Sequence, residues 1–209
     1  MALNRVLYFD SGDQFFYTNE TILFDGKNIF DFFDSIGLNG TTIGNMDYVY
    51  ERQWIENKIK EVKYTYLINN IQDIYSNKTK GALGDNQEQS HLCEIKLNDK
   101  DIIKIGVIGL TMNMGVDKLI YNIGNKQSWN NLSFLSYQTN VERESKKLKD
   151  SGVNAILLLS HIGLICHNAK ESLKLNMYNK YTKQSECEHN GNSLLYTLIS
   201  LFLDYRKNP

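Results

Sequence analysis

The sequence predicts a layered α/β domain, and three observations carry that prediction. Short apolar, β-branched runs alternate with amphipathic helical stretches along the chain. Glycine, asparagine or aspartate closes most of these runs. The chain has 209 residues, 42% hydrophobic and 22% charged, which is enough for one sizeable core. A single domain over residues 1–209 is expected at this length.

The elements follow in order. Val6 to Phe9 is a short apolar run that stops at Ser11-Gly12-Asp13, a buried strand ending in a turn. Asn28 to Ile36 puts Ile29, Phe30, Phe33 and Ile36 on one helical face, and Gly37 ends it. Thr41 to Ile43 is a β-branched strand running into Gly44-Asn45. Glu51 to Val62 reads as a second helix with Trp54, Ile55, Ile59 and Val62 inward. Tyr64 to Ile68 is another strand, ending at Asn69-Asn70. Gln72 to Ser90 is polar and reads as a surface loop. Leu92 to Leu97 and Ile102 to Leu110 flank Asn98-Asp99-Lys100, a hairpin signal, with Ile105 to Leu110 apolar enough for a central strand. Thr111 to Asn131 is irregular. Tyr137 to Asp150 is a helix with Val141 and Leu148 apolar and Lys146, Lys147 and Lys149 solvated; Ser151-Gly152 closes it. Ala155 to Leu159 reads as a buried strand ending at Ser160-His161. Ile162 to Gly191 shows no clear pattern, and Ser193 to Asp204 reads as a last, mostly buried helix.

Composition narrows the function. Net charge is -1 with no basic or acidic block, so nucleic-acid polymers are not expected as partners. The opening residues Met1 to Asp10 do not read as a signal peptide, because the apolar run is short and meets Asp10 at once. Leu194 to Leu203, the longest late apolar stretch, is about half a bilayer span. Asn19, Asn39, Asn77 and Asn131 each begin an Asn-x-Ser/Thr triplet; in so asparagine-rich a chain these arise by chance and say little about secretion. Compartment and oligomeric state are left open. Cys93, Cys166 and Cys187 fit a reduced compartment, or one disulfide plus a free thiol.

Three pieces carry chemistry: Asp10-Ser11-Gly12-Asp13-Gln14-Phe15, Thr42-Ile43-Gly44-Asn45-Met46-Asp47, and Leu159-Ser160-His161-Ile162-Gly163. Asp13, Asn45, Asn70 and His161 all follow strand ends, the edge where open α/β sheets bind ligands. A carboxylate, an amide and an imidazole there can converge on a divalent ion. Oxygen and nitrogen donors suit manganese, iron or zinc better than calcium. Each piece also has a plain reading, since Gly-Asp and Gly-Asn are common turns and a lone histidine is usually surface or core.

In this order the pieces resemble the calcineurin-like metallophosphoesterases, and within them the 5′-nucleotidase and UDP-sugar hydrolase group. That family carries Gly-Asp after a strand, then Gly-Asn-His-Glu/Asp, then Ser-His-x-Gly after a long apolar strand. Leu67 to Ile71 is similar to its Ala-Asn-Ile segment. Lys104-Ile105-Gly106-Val107-Ile108-Gly109-Leu110-Thr111 is similar to its central strand. The resemblance covers about residues 3 to 165. It implies an α-β-β-α sandwich with mixed sheets. It also implies that Asp13 bridges two divalent metals while Asn45 and His161 complete one of them, with manganese, zinc, iron and magnesium all open. Metal-activated water would then attack a nucleotide or related phosphate ester.

The chain departs from the family in three places. No Asp-x-His stands before Gly12-Asp13. No Gly-His-x-His follows Leu203, where the text reads Asp204-Tyr205-Arg206-Lys207-Asn208-Pro209, and the surroundings of His189 do not match as a replacement. The family histidine after Asn45 is Met46, whose thioether cannot donate a proton; it is read as a packing residue. The expected domain is therefore incomplete at both ends, with no C-terminal nucleotidase domain. One metal site is partial and the other is reduced to Asp13. Two functions follow: a metal-dependent phosphohydrolase of nucleotidase type, or a non-catalytic binding module of the same fold.

Other patterns are weaker. Gly106, Gly109 and Gly115 have the wrong spacing for a dinucleotide loop and are better explained by close packing. His161, Cys166, His167, Cys187 and His189 match no standard zinc knuckle, and a Cys166–Cys187 disulfide competes with that reading. Phe15, Phe16 and Tyr17 are read as core rather than as a base-stacking face.

Overall fold

A computed structural model describes residues 6–15, 18–98, 100–112, 129–161, 165–166 and 187–188. The chain divides into two compact units, Met1–His161 and Ile162–Pro209. In the first unit the elements run β1 (Phe9–Asp10), α1 (Asn19–Leu23), α2 (Lys27–Ile36), β2 (Gly40–Thr41), a 3₁₀ turn (Asp47–Val49), α3 (Arg52–Glu61), β3 (Thr65–Leu67), β4 (Ile71–Asp73), β5 (Gln87–Glu88), β6 (Ser90–Lys96), β7 (Ile102–Leu110), β8 (Leu132–Phe134), α4 (Tyr137–Asp150) and β9 (Ala155–Ser160). In the second, β10 (Ile165–Cys166) pairs antiparallel with β11 (Cys187–Glu188).

Two sheets lie back to back in the first unit. One is parallel, in the order β1-β2-β3-β5. The other is mixed, with β6 antiparallel and β9 parallel to the central β7. The period of two along β3 separates the layers. Tyr66 joins the core formed with Phe30 of α2 and with Ile55 and Ile59 of α3. Its neighbour Leu67 packs instead against Cys93, Val107 and Leu159 of the second sheet. The sheets approach most closely at Gly109: a Cβ there would overlap the backbone carbonyl of Leu67. On the outer face Leu148 of α4 fills the space over Gly106. The result is the expected α-β-β-α layering, with one sheet mixed and the other parallel among the described residues, and both glycines serve packing. Gly115 lies outside the described residues.

Local chemistry explains the boundaries. Gly37, at φ 69, ends α2 by donating its N–H to Asp34 and Phe33 carbonyls. Ser136 caps α4, accepting from the Thr139 N–H. Asn98 Oδ1 accepts the Lys100 and Asp101 N–H groups and turns β6 into β7.

Several expectations are corrected. The 72–90 stretch is not simply a surface loop: Ala82, Leu83 and Gln87 are buried. Gln87 donates from Nε2 to the Ile68 and Thr79 carbonyls and accepts the Leu83 N–H, so a polar side chain does the work of a ladder. β9 is an edge strand among the described residues, with Leu157 42% exposed, rather than a buried one. Ile36 is exposed although it shares the α2 stripe. The first two strands begin later or end earlier than expected, at Phe9–Asp10 and Gly40–Thr41. The 193–204 helix falls outside the described residues.

Candidate metal centre

Two strand-end loops form the floor of the site. Because β1 and β2 pair with Asp10 opposite Thr41, the chains leaving them are neighbours. Asp10 Oδ1 accepts from the Gly12 N–H at 2.9 Å, from Gln14 Nε2 at 2.9 Å and from the Thr41 hydroxyl at 3.1 Å. This bends the first loop, which passes Gly12 at φ 94 and Asp13 at φ 62. A left-handed aspartate is uncommon and persists only where its surroundings fix it. Gly12 and Gly44 allow the two loops to touch. A Cβ on Gly12 would strike the Gly44 backbone, and one on Gly44 would strike the Asp13 carboxylate.

Asp47 bolts these loops together. It is 1% exposed. Its Oδ2 accepts the Gly44 N–H at 2.8 Å and the Asp13 N–H at 2.9 Å, and its Oδ1 accepts the Phe15 N–H at 3.3 Å. Burial pushes the Asp47 carboxyl up to about 7; the Gly44 N–H works against that, the Asp13 charge adds to it, and the other two N–H groups oppose it. The Met46 N–H donates to Asp13 Oδ1 at 2.8 Å and sets that side chain's direction.

His161 completes the arrangement from β9, whose pairing with β7 places Ser160 opposite Leu110. Its ring Nδ1 lies 2.7 Å from the Ser11 carbonyl oxygen. A carbonyl only accepts, so Nδ1 carries the proton and Nε2 points into the site. There Nε2 lies 3.0 Å from Asn45 Oδ1 and 3.2 Å from Asp13 Oδ2. A bare ring nitrogen facing two oxygen acceptors is repulsive unless a proton or a cation sits among them. With a proton, the hydrogen bond to Asp13 raises the His161 pKa against the opposing effect of burial, and the Asp13 charge and Ser11 carbonyl add to the rise. Burial disfavours the Asp13 carboxylate, but the His161 bond, the Met46 N–H and the imidazolium charge outweigh it and hold Asp13 below the usual carboxylate range.

Asp13, Asn45 and His161 are thus brought together, while Asn70 is not among them. Its amide clasps Thr111, donating to the carbonyl at 2.8 Å and accepting the N–H at 2.9 Å. Met46 is half-buried beside Asn45. Phe15 is core, whereas Phe16 and Tyr17 lie outside the described residues. Cys166 and Cys187 are backbone register partners in the β10–β11 pair; His167 and His189 lie outside the described residues. Among the described residues no group of three or more His, Cys, Asp or Glu side chains gathers where it could hold a metal ion. The constellation here has one carboxylate, one imidazole and one amide. The sequence placed Asp47 in the motif without a role, and nothing in the text marked the Ser11 carbonyl.

No family model and no curated protein matches this sequence. Solved structures do. The 5′-nucleotidase precursor of Thermus thermophilus superposes with a TM-score of 0.62 at 20% identity, over 80% of this chain and 29% of its own. The Haemophilus influenzae NAD nucleotidase gives 0.57 at 19% identity, over 80% and 29%. A calcineurin-like phosphoesterase of Bacillus subtilis gives 0.58 at 17% identity, over 75% and 48%. This chain therefore spans less than a third of the two nucleotidases and about half of the third protein. Its layered sheets and helices have the fold of the calcineurin-like phosphoesterases and 5′-nucleotidases.

Proposed function

We propose that this chain binds one divalent cation through Asp13 Oδ2, Asn45 Oδ1 and His161 Nε2, and that it serves phosphoester hydrolysis of nucleotidase type. The observation that carries this is the convergence of the two oxygens on a ring nitrogen whose other nitrogen is committed to Ser11. One anionic oxygen, one neutral oxygen and one nitrogen fit manganese, iron, zinc or magnesium better than calcium, which takes more oxygen ligands. A cation held by these three donors would supply Lewis acidity toward a phosphoryl oxygen or a water. The chain's own part is to hold the three donors. Asp47 fixes both loops, Ser11 fixes the imidazole tautomer, and the Asn45 amide ligates without adding charge. The nucleotide-processing neighbours support a nucleotide or related phosphate ester as substrate.

The test is phosphate release from nucleoside monophosphates by the purified chain with manganese. Activity above an Asp13→Ala control supports the reading; none above it ends it. A second reading, a non-catalytic module of the same fold, is favoured by Met46, whose thioether offers no proton to a leaving oxygen. Met46→His separates the two. In a hydrolase lacking only its acid the substitution raises the rate by about 10²–10⁴-fold. In a module it leaves the rate at background while cation binding through Asp13 persists.

A further inference from the structure

The turn after β4 has features unrelated to the metal centre. Asp73 and Lys78 face each other across an isolated antiparallel bridge, with the Asp73 N–H donating to the Lys78 carbonyl at 2.9 Å. The Asp73 side chain stiffens the turn, its Oδ1 accepting the Ser76 N–H at 2.8 Å and the Ser76 hydroxyl at 2.9 Å. Ile74, Tyr75, Ser76, Asn77 and Lys78 are all exposed. Asn77 leaves the turn at φ 55, a conformation asparagine tolerates better than most residues. Its Oδ1 accepts from Gln72 Nε2, and among the described residues no hydrogen bond engages its Nδ2. Tyr75, two residues earlier, is 81% exposed, more than any other large apolar side chain described.

Asn77-Lys78-Thr79 is an Asn-x-Thr triplet, the acceptor pattern for N-glycosylation. The structure distinguishes it from the other three. Asn39 has Gly37, not an aromatic, two residues before it and leads into buried β2. Asn19 is the first residue of helix α1, and its Thr21 is buried. Asn131 also has an aromatic two residues before it, but that residue, Trp129, is 1% exposed in the core. Among the described residues, Asn77 alone joins an exposed turn and an amide nitrogen without a hydrogen bond to an uncovered ring.

We propose that Asn77 is an N-glycan acceptor and that the ring of Tyr75 is the platform on which the first sugar lies. In the attachment step Asn77 Nδ2 bonds to C1 of a polyprenyl-diphosphate-linked oligosaccharide. The bond from C1 to the diphosphate oxygen breaks, the diphosphate leaves with the electron pair, and one amide proton goes to solvent. The sugar's C–H face then covers the electron-rich face of the tyrosine and removes exposed apolar surface from water. This assignment is independent of the metal centre.

The experiment expresses the full chain behind a cleavable export signal in a eukaryotic secretory host. Mass spectrometry of the Asn77 peptide is expected to show a glycan that Asn77→Gln abolishes. An unmodified Asn77 peptide overturns the proposal. The platform is read from melting temperatures after trimming to a single N-acetylglucosamine. The glycosylated wild type is expected to exceed Asn77→Gln by about 2–4 °C. The same pair made in bacteria, without glycan, subtracts the cost of placing glutamine at this turn. In a Tyr75→Ala background the corrected difference is expected to vanish; if it persists, Tyr75 is not the platform.

Discussion

At the scale of single residues, three groups account for the pH behaviour of the site. His161 has its pKa raised above 6.5, so its stabilisation is full below 6.5 and is lost as pH rises through the raised value. Asp13 has its pKa lowered below 3.8, so its stabilisation is full above 3.8 and is lost as pH falls through the lowered value. Together they stabilise the cation-free fold most between pH 3.8 and 6.5. Asp47 is shifted the opposite way from Asp13 and, like His161, loses stability as pH rises. Its pKa rises from 3.8 to about 7, so it costs stability as pH climbs through that interval. Titration of the His161 ring proton by NMR, without metal, is expected to give a pKa above 6.5 that falls in Asp13→Asn. An unchanged value in the variant would mean the pair does not interact. Asp47→Ala strands the N–H groups of Asp13, Phe15 and Gly44. At roughly 1–3 kcal/mol for a buried unsatisfied group, partly relieved by water, a loss of about 3 kcal/mol is expected in urea unfolding.

At the scale of elements, packing between layers is the sensitive quantity. Gly109→Ala drives a methyl into the Leu67 backbone, which cannot move without breaking β3. A loss of about 3 kcal/mol or more is expected. Gly106→Ala meets the Leu148 side chain, with Cδ1 at 2.7 Å, and that flexible end can turn away. About 1 kcal/mol is expected there, and comparing the two urea midpoints checks the ordering. The same elements show how far the text could be read. Helix α4 begins and ends where its serine cap and glycine stop place it, and the Asn98 turn sets the β6–β7 register. These signals are local, so sequence carries them. Asp13, Asn45 and His161 were legible only as an ordered set. Their union depends on sheet pairings between residues far apart in the chain. Glu144 was not legible at all. It looks like one more charge on a solvated helix face, yet it is fully buried, with Ser90, Lys147 and Arg143 satisfying its carboxylate. Gln87 was missed for the same reason, since a polar residue is read as surface until its partners are known.

At the scale of the whole molecule, a ligand that binds only the native state adds its binding energy to the fold. Manganese at about 100 times its dissociation constant is expected to add about 2.7 kcal/mol to the stability of the chain. At 2–4 °C per kcal/mol that is a rise of roughly 5–11 °C in melting temperature. Asp13→Ala and His161→Ala should each abolish the rise, and a chelator should reverse it in the wild type. A rise that survives Asp13→Ala would place the cation elsewhere. Among the described residues no helix is long and apolar enough to cross a membrane.

The contact between His161 and Ser11 joins residues 150 positions apart. Loop closure over such a span comes late and at an entropic cost, after the local hairpin and helices have formed. Capture of the proposed cation would therefore require nearly the whole first unit to be in place. In a refolding experiment a fluorescent or paramagnetic metal would report completion of assembly rather than collapse, binding at the rate of the slowest chain-joining event. On the proposed ligand set, a ribosome-bound nascent chain would stay metal-blind until His161, just past β9, had emerged.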